Sequence, residues 1–211
     1  MSKLLVFDTE TGGFDPQTHS ILSVGAVVWE NGTISDEIEL LIAEADIRAD
    51  PEALAKNKID LPKHKQIGLP PADAMARFQT FLTKNFRASS SKERIRLVGH
   101  NVYFDIGFLQ RLCRLTGTDY ESNFSHRVVD TASILRFLNL ANRLSLSEAS
   151  LDAALEYFGI EADPSTRHTA LVDARLTAQL LDELIEVVRP SLATAIRDKV
   201  ATWIAKLRRR K

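Results

Sequence analysis

The chain is short of everything that would staple or tether it. Its one cysteine in 211 residues, Cys113, leaves no internal disulfide to form. That residue sits in an apolar helical pattern and reads as a small core residue in a reducing compartment. Cys/His spacing of the zinc-binding kind is missing, which argues against a structural zinc site. Long apolar runs are missing too, and Met1-Ser2-Lys3 leads directly into a strand pattern without the layout of a signal peptide. The expectation is a cytoplasmic protein with no membrane partner. Net charge is almost nil, since 27 Lys and Arg against 28 Asp and Glu leave −1. Any polyanion must therefore be gripped by local basic groups, because the overall field gives no help. At 45% hydrophobic and 26% charged, the composition is that of one ordinary globular domain with a full core.

What is present begins at Leu4. Leu4-Leu5-Val6-Phe7 is an unbroken apolar run, suited to a strand covered on both faces, and it runs into Asp8-Thr9-Glu10-Thr11-Gly12-Gly13-Phe14. Side chains two apart on a strand share a face, so Asp8 and Glu10 project together while Thr9 faces away. Two carboxylates held so close repel, and they need a proton, a partner cation or a metal ion. Metal is the favoured reading; the plain alternative is a solvated turn freed by Gly12-Gly13.

Residues 21–29 and 34–42 are β-rich and are separated by Glu30-Asn31-Gly32-Thr33. The Asn-Gly pair predicts a hairpin, and hence an antiparallel meander of the first three strands. The polar stretch 43–71, with Pro51, Pro62, Pro70 and Pro71 as breakers, predicts one short helix over 52–57 among loops that could flank a cleft. Met75, Phe78, Phe81 and Leu82 predict a helix over 73–86. A short strand over 95–98 and the break at Gly99-His100-Asn101 precede a helix over about 104–115. On that helix Asp105 lines up with Leu109 and Leu112, so a carboxylate occupies the stripe meant for the core.

Residues 128–130 predict another short strand, and 131–138 and 147–158 predict helices, the second closed by Gly159. Thr169 is placed to cap a long helix ending before Pro190, whose apolar line runs back from Val188 to Asp173. On a continuous helix His168 and Asp173 would lie roughly 140° apart, so they converge only if His168 sits in the preceding loop. Leu192, Ile196, Val200, Trp203 and Leu207 fall on one face and predict a terminal amphipathic helix ending in Arg208-Arg209-Arg210-Lys211. The expected organisation is a main domain over 1–190 with residues 191–211 packed on it, in an α/β arrangement with a mixed sheet.

If the first strand is central, Asp8, Glu10, Asp105 and Asp173 can meet at its carboxyl end, where open sheets commonly bind ligands. Oxygen-only donors suit hard cations such as Mg²⁺ or Mn²⁺. Two such ions about 4 Å apart stabilise both the attacking water and the leaving oxygen in a displacement at phosphorus. His168, with an ordinary imidazole pKa of ~6.5, is suited to take the proton from that water.

Asp8-Thr9-Glu10 with Thr11-Gly12, then His100-Asn101-Val102-Tyr103-Phe104-Asp105, then His168 with four residues to Asp173, resembles the three motifs of the DEDDh superfamily of 3'-to-5' exonucleases, in order and across almost the whole chain. The resemblance implies a ribonuclease H-like fold, with a mixed five-stranded sheet whose strands 1–3 are antiparallel and the rest parallel, flanked by helices. It implies that Asp8, Glu10 and Asp173 hold one metal, that Asp8 bridges to a second held by Asp105 largely through water, and that His168 is the general base. It also implies release of nucleoside 5'-monophosphates from a single-stranded or frayed 3' end, with DNA slightly favoured over RNA. A proofreading subunit working in trans with a polymerase and an RNA-trimming enzyme are the alternatives within that class, and a non-catalytic docking module the alternative outside it; the candidate protein partners are a second copy of the chain, as a homodimer, or a polymerase. Thr9, Thr11, Phe14 and Asn101 are candidates to touch the substrate: Phe14 as a stacking wall or ordinary packing, Asn101 as a contact or a helix cap. Arg167 and Arg175 flank the third motif and could reach phosphate. Asp130 reads as structural.

Overall fold

The computed structural model describes residues 3–86, 94–163 and 167–189. The predicted terminal helix over 191–211, and with it the second of the two expected units, lies outside them. Strands β1 (Leu4–Thr11), β2 (Ile21–Glu30) and β3 (Thr33–Leu41) form the expected antiparallel meander. Its second turn is Asn31-Gly32, both in the left-handed region at φ 55° and 83°; that conformation is why Asn-Gly marks such hairpins. Strands β4 (Leu97–Gly99) and β5 (Val129–Asp130) then add in parallel on the other side of β1, giving the order β3-β2-β1-β4-β5. β1 is thus central, and it is the strand with the unbroken apolar run.

Helices α1 (Pro51–Asn57), α2 (Leu61–Ile67), α3 (Pro71–Phe86), α4 (Val102–Thr116), α5 (Tyr120–Asn123), α6 (Thr131–Leu140), α7 (Leu151–Phe158) and α8 (Ala170–Val188) complete the described residues. Alternation along β1 sorts its side chains between two cores. Leu5 and Phe7 join Phe78, Phe108 and Leu109 of α3 and α4 on one face. Val6 joins Ala174, Ala178 and Leu181 of α8 on the other. A third cluster, with Leu135, Ala154, Leu180 and Leu184, binds α6 and α7 to α8. Each such leucine contributes ~1.5–3 kcal/mol by leaving water.

Two expectations need correction. Residues 43–71 hold two helices rather than one, because Pro51 and Pro62 start helices instead of breaking loops; the first turn needs no donor from proline. The helix expected over 147–158 begins at Leu151, where the Ser150 hydroxyl accepts from the Ala153 amide at 3.2 Å. Among the described residues no helix is long and apolar enough to cross a membrane.

Candidate active site

The site straddles the sheet because β1 delivers side chains to both of its faces. Asp8 and Glu10 follow Val6 toward α8, whereas Thr9 follows Phe7 toward α4. There the Thr9 amide and hydroxyl both donate to one oxygen of Asp105, at 2.9 and 2.7 Å. Asp105 is only 3% exposed, in the first turn of α4. Thr9, expected as a substrate contact, has its hydroxyl engaged in holding this carboxylate.

The start of α4 is fixed from β5. One oxygen of Asp130 accepts from the amides of Asn101 and Val102 at 2.7 and 3.3 Å, and the other from the Ser133 amide of α6 at 3.3 Å. Asp130 therefore caps two helices. Asn101 occupies the cap position at φ 58° without a side-chain cap bond; its Oδ1 accepts from Arg136 at 3.0 Å instead.

On the opposite face α8 begins against bare backbone. A Cβ at Gly25, which pairs with Asp8 across β1 and β2, would lie 2.0 Å from the Leu171 amide nitrogen. Only glycine permits that approach, and it brings Asp173, in the first turn of α8, beside Asp8 and Glu10. Oxygens of Asp8, Glu10 and Asp173 lie within 4.8 Å of one another; Asp105 stands outside this trio but lines the same cleft. His168 lies in the loop just before α8 at φ 65° and lines that cleft too. The cleft, of about 430 Å³, therefore collects all five residues.

Electrostatically the cluster is in want of a cation. Burial, then repulsion from Asp105, Glu10 and Asp173, holds the Asp8 carboxyl well above the usual carboxylate range. Burial and Asp173 push Glu10 up to about 8. Asp105 is pushed up to about 7 by burial, against the pull of the two Thr9 hydrogen bonds. Arg167 contacts both Asp173 and Asp152, a partial answer to the charge from the chain itself. Oxygen donors this crowded fit a hard divalent cation, which would compete with the protons that the raised pKa values favour.

The remaining expected contacts divide. Phe14 is 79% exposed at the rim, with its ring edge to face with Phe104 at 6.4 Å. The Thr11 hydroxyl donates to the Gly13 carbonyl at 2.8 Å and shapes the turn that carries Phe14. Arg175 does not line the cleft but pairs with Glu37 of β3. Two lining residues had no mark in the sequence. Asp152 follows a helix cap at Ser150 and looks like any first-turn acid. Lys56 stands on the short α1, whose neighbour Asn57 donates to the Thr11 carbonyl at 3.2 Å and so ties α1 to the site.

An exonuclease family model (RNase_T) matches residues 5–181. Ribonuclease T of Escherichia coli is 27% identical over 187 residues, covering 86% of this chain and 83% of that protein. A PolC-type DNA polymerase III of Thermotoga petrophila is 28% identical over 194 residues, 88% of this chain but only 12% of the polymerase. Among solved structures, Exonuclease I of E. coli in its zinc-bound complex with single-stranded DNA superposes with a TM-score of 0.74 at 19% identity, over 91% of this chain and 42% of that one. Exonuclease I of Methylocaldum szegediense gives 0.72 at 20% identity, again over 91% and 42%. With the family model covering most of the chain and the fold shared with these nucleases, the protein belongs to the exonuclease family, of the DEDDh type.

Proposed function

We propose that the protein is a divalent-metal-dependent 3'-to-5' exonuclease that releases nucleoside 5'-monophosphates from single-stranded or frayed ends. The observation that carries this reading is the trio Asp8, Glu10 and Asp173, with oxygens within 4.8 Å, in one cleft with Asp105 and His168. Asp8, Glu10 and Asp173 would hold one ion, and Asp105 together with Asp8 a second, each Mg²⁺ or Mn²⁺. Bound there, such ions supply positive charge that stabilises the attacking and leaving oxygens of a phosphodiester.

The chain's own residues do the rest. The imidazole of His168 takes the proton from the attacking water, and its place outside α8 leaves the ring free to face the cleft. Thr9 keeps Asp105 from rotating away from the metal side. Phe14, steadied by Phe104, offers a wall for the terminal base.

DNA is the favoured substrate, with support from the fold neighbour solved with single-stranded DNA. An RNA-trimming role is the second reading, favoured by the ribonuclease T relative of similar length. A product ladder from matched labelled DNA and RNA oligonucleotides, with free or blocked 3' ends, tests both. Stepwise mononucleotide release from free 3' ends, dependent on Mg²⁺ or Mn²⁺ and lost in Asp173→Ala, is expected. Release from blocked ends, or unchanged release in that variant, overturns the proposal. His168→Ala should lose kcat by at least about 10²-fold with little change in oligonucleotide binding.

A further inference from the structure

Beside the catalytic cleft lies a second one, of about 380 Å³, between α6 and the chain leading into α7. Its walls include the aliphatic Leu135, Leu140 and Leu146, together with Arg136 and Glu148. Asn139 keeps its shape, donating to the Leu146 carbonyl at 3.0 Å and accepting from the Leu146 amide at 2.9 Å.

The ridge between the two clefts is thin at two points. Ala149 lines the second cleft and the next residue, Ser150, lines the first. Arg136 lines the second, and its guanidinium donates to Asn101, which lines the first. His100 ties this ridge together, with Nε2 donating to the Ala149 carbonyl at 2.9 Å. The two hollows are thus neighbours, separated by a ridge one residue wide at Ala149 and Ser150.

The chemistry differs between them. Carboxylates outnumber cations in the first cleft, whereas the second carries one charge of each sign, Arg136 on α6 and Glu148 on the opposite rim. Leu140 beside Arg136 is 82% exposed. A guanidinium next to exposed apolar surface, one residue's width from the cleft proposed for phosphodiester hydrolysis, matches a backbone phosphate and its base.

We propose that the second cleft receives the single-stranded nucleic acid upstream of the nucleotide being removed, with a base over Leu140 and Leu146 and its phosphate on Arg136. This rests on the exonuclease reading above. Glu148, the acid on the facing rim, opposes the strand.

The test compares kcat/KM on a dinucleotide and on single-stranded DNA of about twelve nucleotides. Wild type is set against Arg136→Gln, Leu140→Asp and Glu148→Lys. The long-to-short ratio is expected to fall about tenfold in the first two and to rise several-fold in the third, a gain that structural damage would not produce. The salt slope on the longer substrate should shrink by about one in Arg136→Gln. Unchanged ratios in all three variants, with wild type active, overturn this inference alone. A wild type inert on both lengths overturns the exonuclease reading and this one with it.

Discussion

Glu10 and Glu44 are both glutamates drawn out of water, and the molecule treats them in opposite ways. Glu44, 9% exposed, receives two hydrogen bonds from Arg111, at 2.6 and 2.9 Å, and a third from the Ile21 amide at 3.1 Å. Arg111 also donates to the carbonyls of Pro16 and Gln17, at 3.2 and 3.3 Å. That pair is complete in itself, and it pins the loop that carries Phe14 to α4. Glu10 sits among Asp8, Asp105 and Asp173, and its carboxyl keeps a proton up to about 8. The contrast teaches that this chain can satisfy a buried carboxylate when the task is structural. Where it supplies no cation, the carboxyl holds its proton instead, and the site is left with room for a charge from outside.

Paired substitutions make the contrast measurable. Glu10→Gln copies the protonated form in the folded and unfolded chain alike, so it should raise metal-free stability near neutral pH, while nuclease activity falls by at least about 10²-fold, the scale of several kcal/mol of metal-assisted charge stabilisation. Glu44→Gln should do the reverse. It strands the Arg111 guanidinium, and denaturant melts should show a loss of about 2–3 kcal/mol, with specific activity of the folded fraction largely kept. A Glu10→Gln variant that unfolds as readily as Glu44→Gln would erase the distinction.

The pH dependence sharpens it. Glu10 and Asp105 titrate near 8 and 7 in the folded chain, against 4.5 and 3.8 ordinarily. Between those limits the folded state holds protons that the unfolded state has released, so raising the pH costs metal-free protein stability. The melting temperature in a chelator should decline from about pH 5 to about pH 8. Mg²⁺ or Mn²⁺ should flatten that decline, and so, in part, should Glu10→Gln. A metal-free melting temperature that rises across this range would contradict the proton inventory. The smallest effect is expected at Lys56, the exposed cation of the cleft wall whose field lowers the Glu10 pKa. Lys56→Gln should raise KM by about threefold and reduce the salt slope by about one, with kcat nearly constant.

Much of this was legible along the chain, for reasons that differ from place to place. Asp8 and Glu10 were visible because strand alternation is a local rule, and Asp105 because it breaks a helical stripe. His168 falls outside α8 because Thr169 reads as its cap, and the angular spacing makes that place a condition for meeting Asp173. What the sequence hid depends on contacts far apart in the chain. The double use of Thr9 needs Asp105, 96 positions away. The tight seat of α8 on Gly25 looks in sequence like one more glycine of a β-rich segment. The prolines of residues 43–71 misled because a proline marks a helix start and a helix end alike.

The alternation of β1 has a consequence for how the enzyme comes into being. One residue of slippage against β2 would send both acids toward α4 and Thr9 toward α8, and would turn Val6 and Phe7 to the wrong cores at the same stroke. Correct assembly of the acid cluster and correct filling of the interior are thus a single event. Chains caught in a faulty alignment would lack the cluster of Asp8, Glu10 and Asp173 altogether.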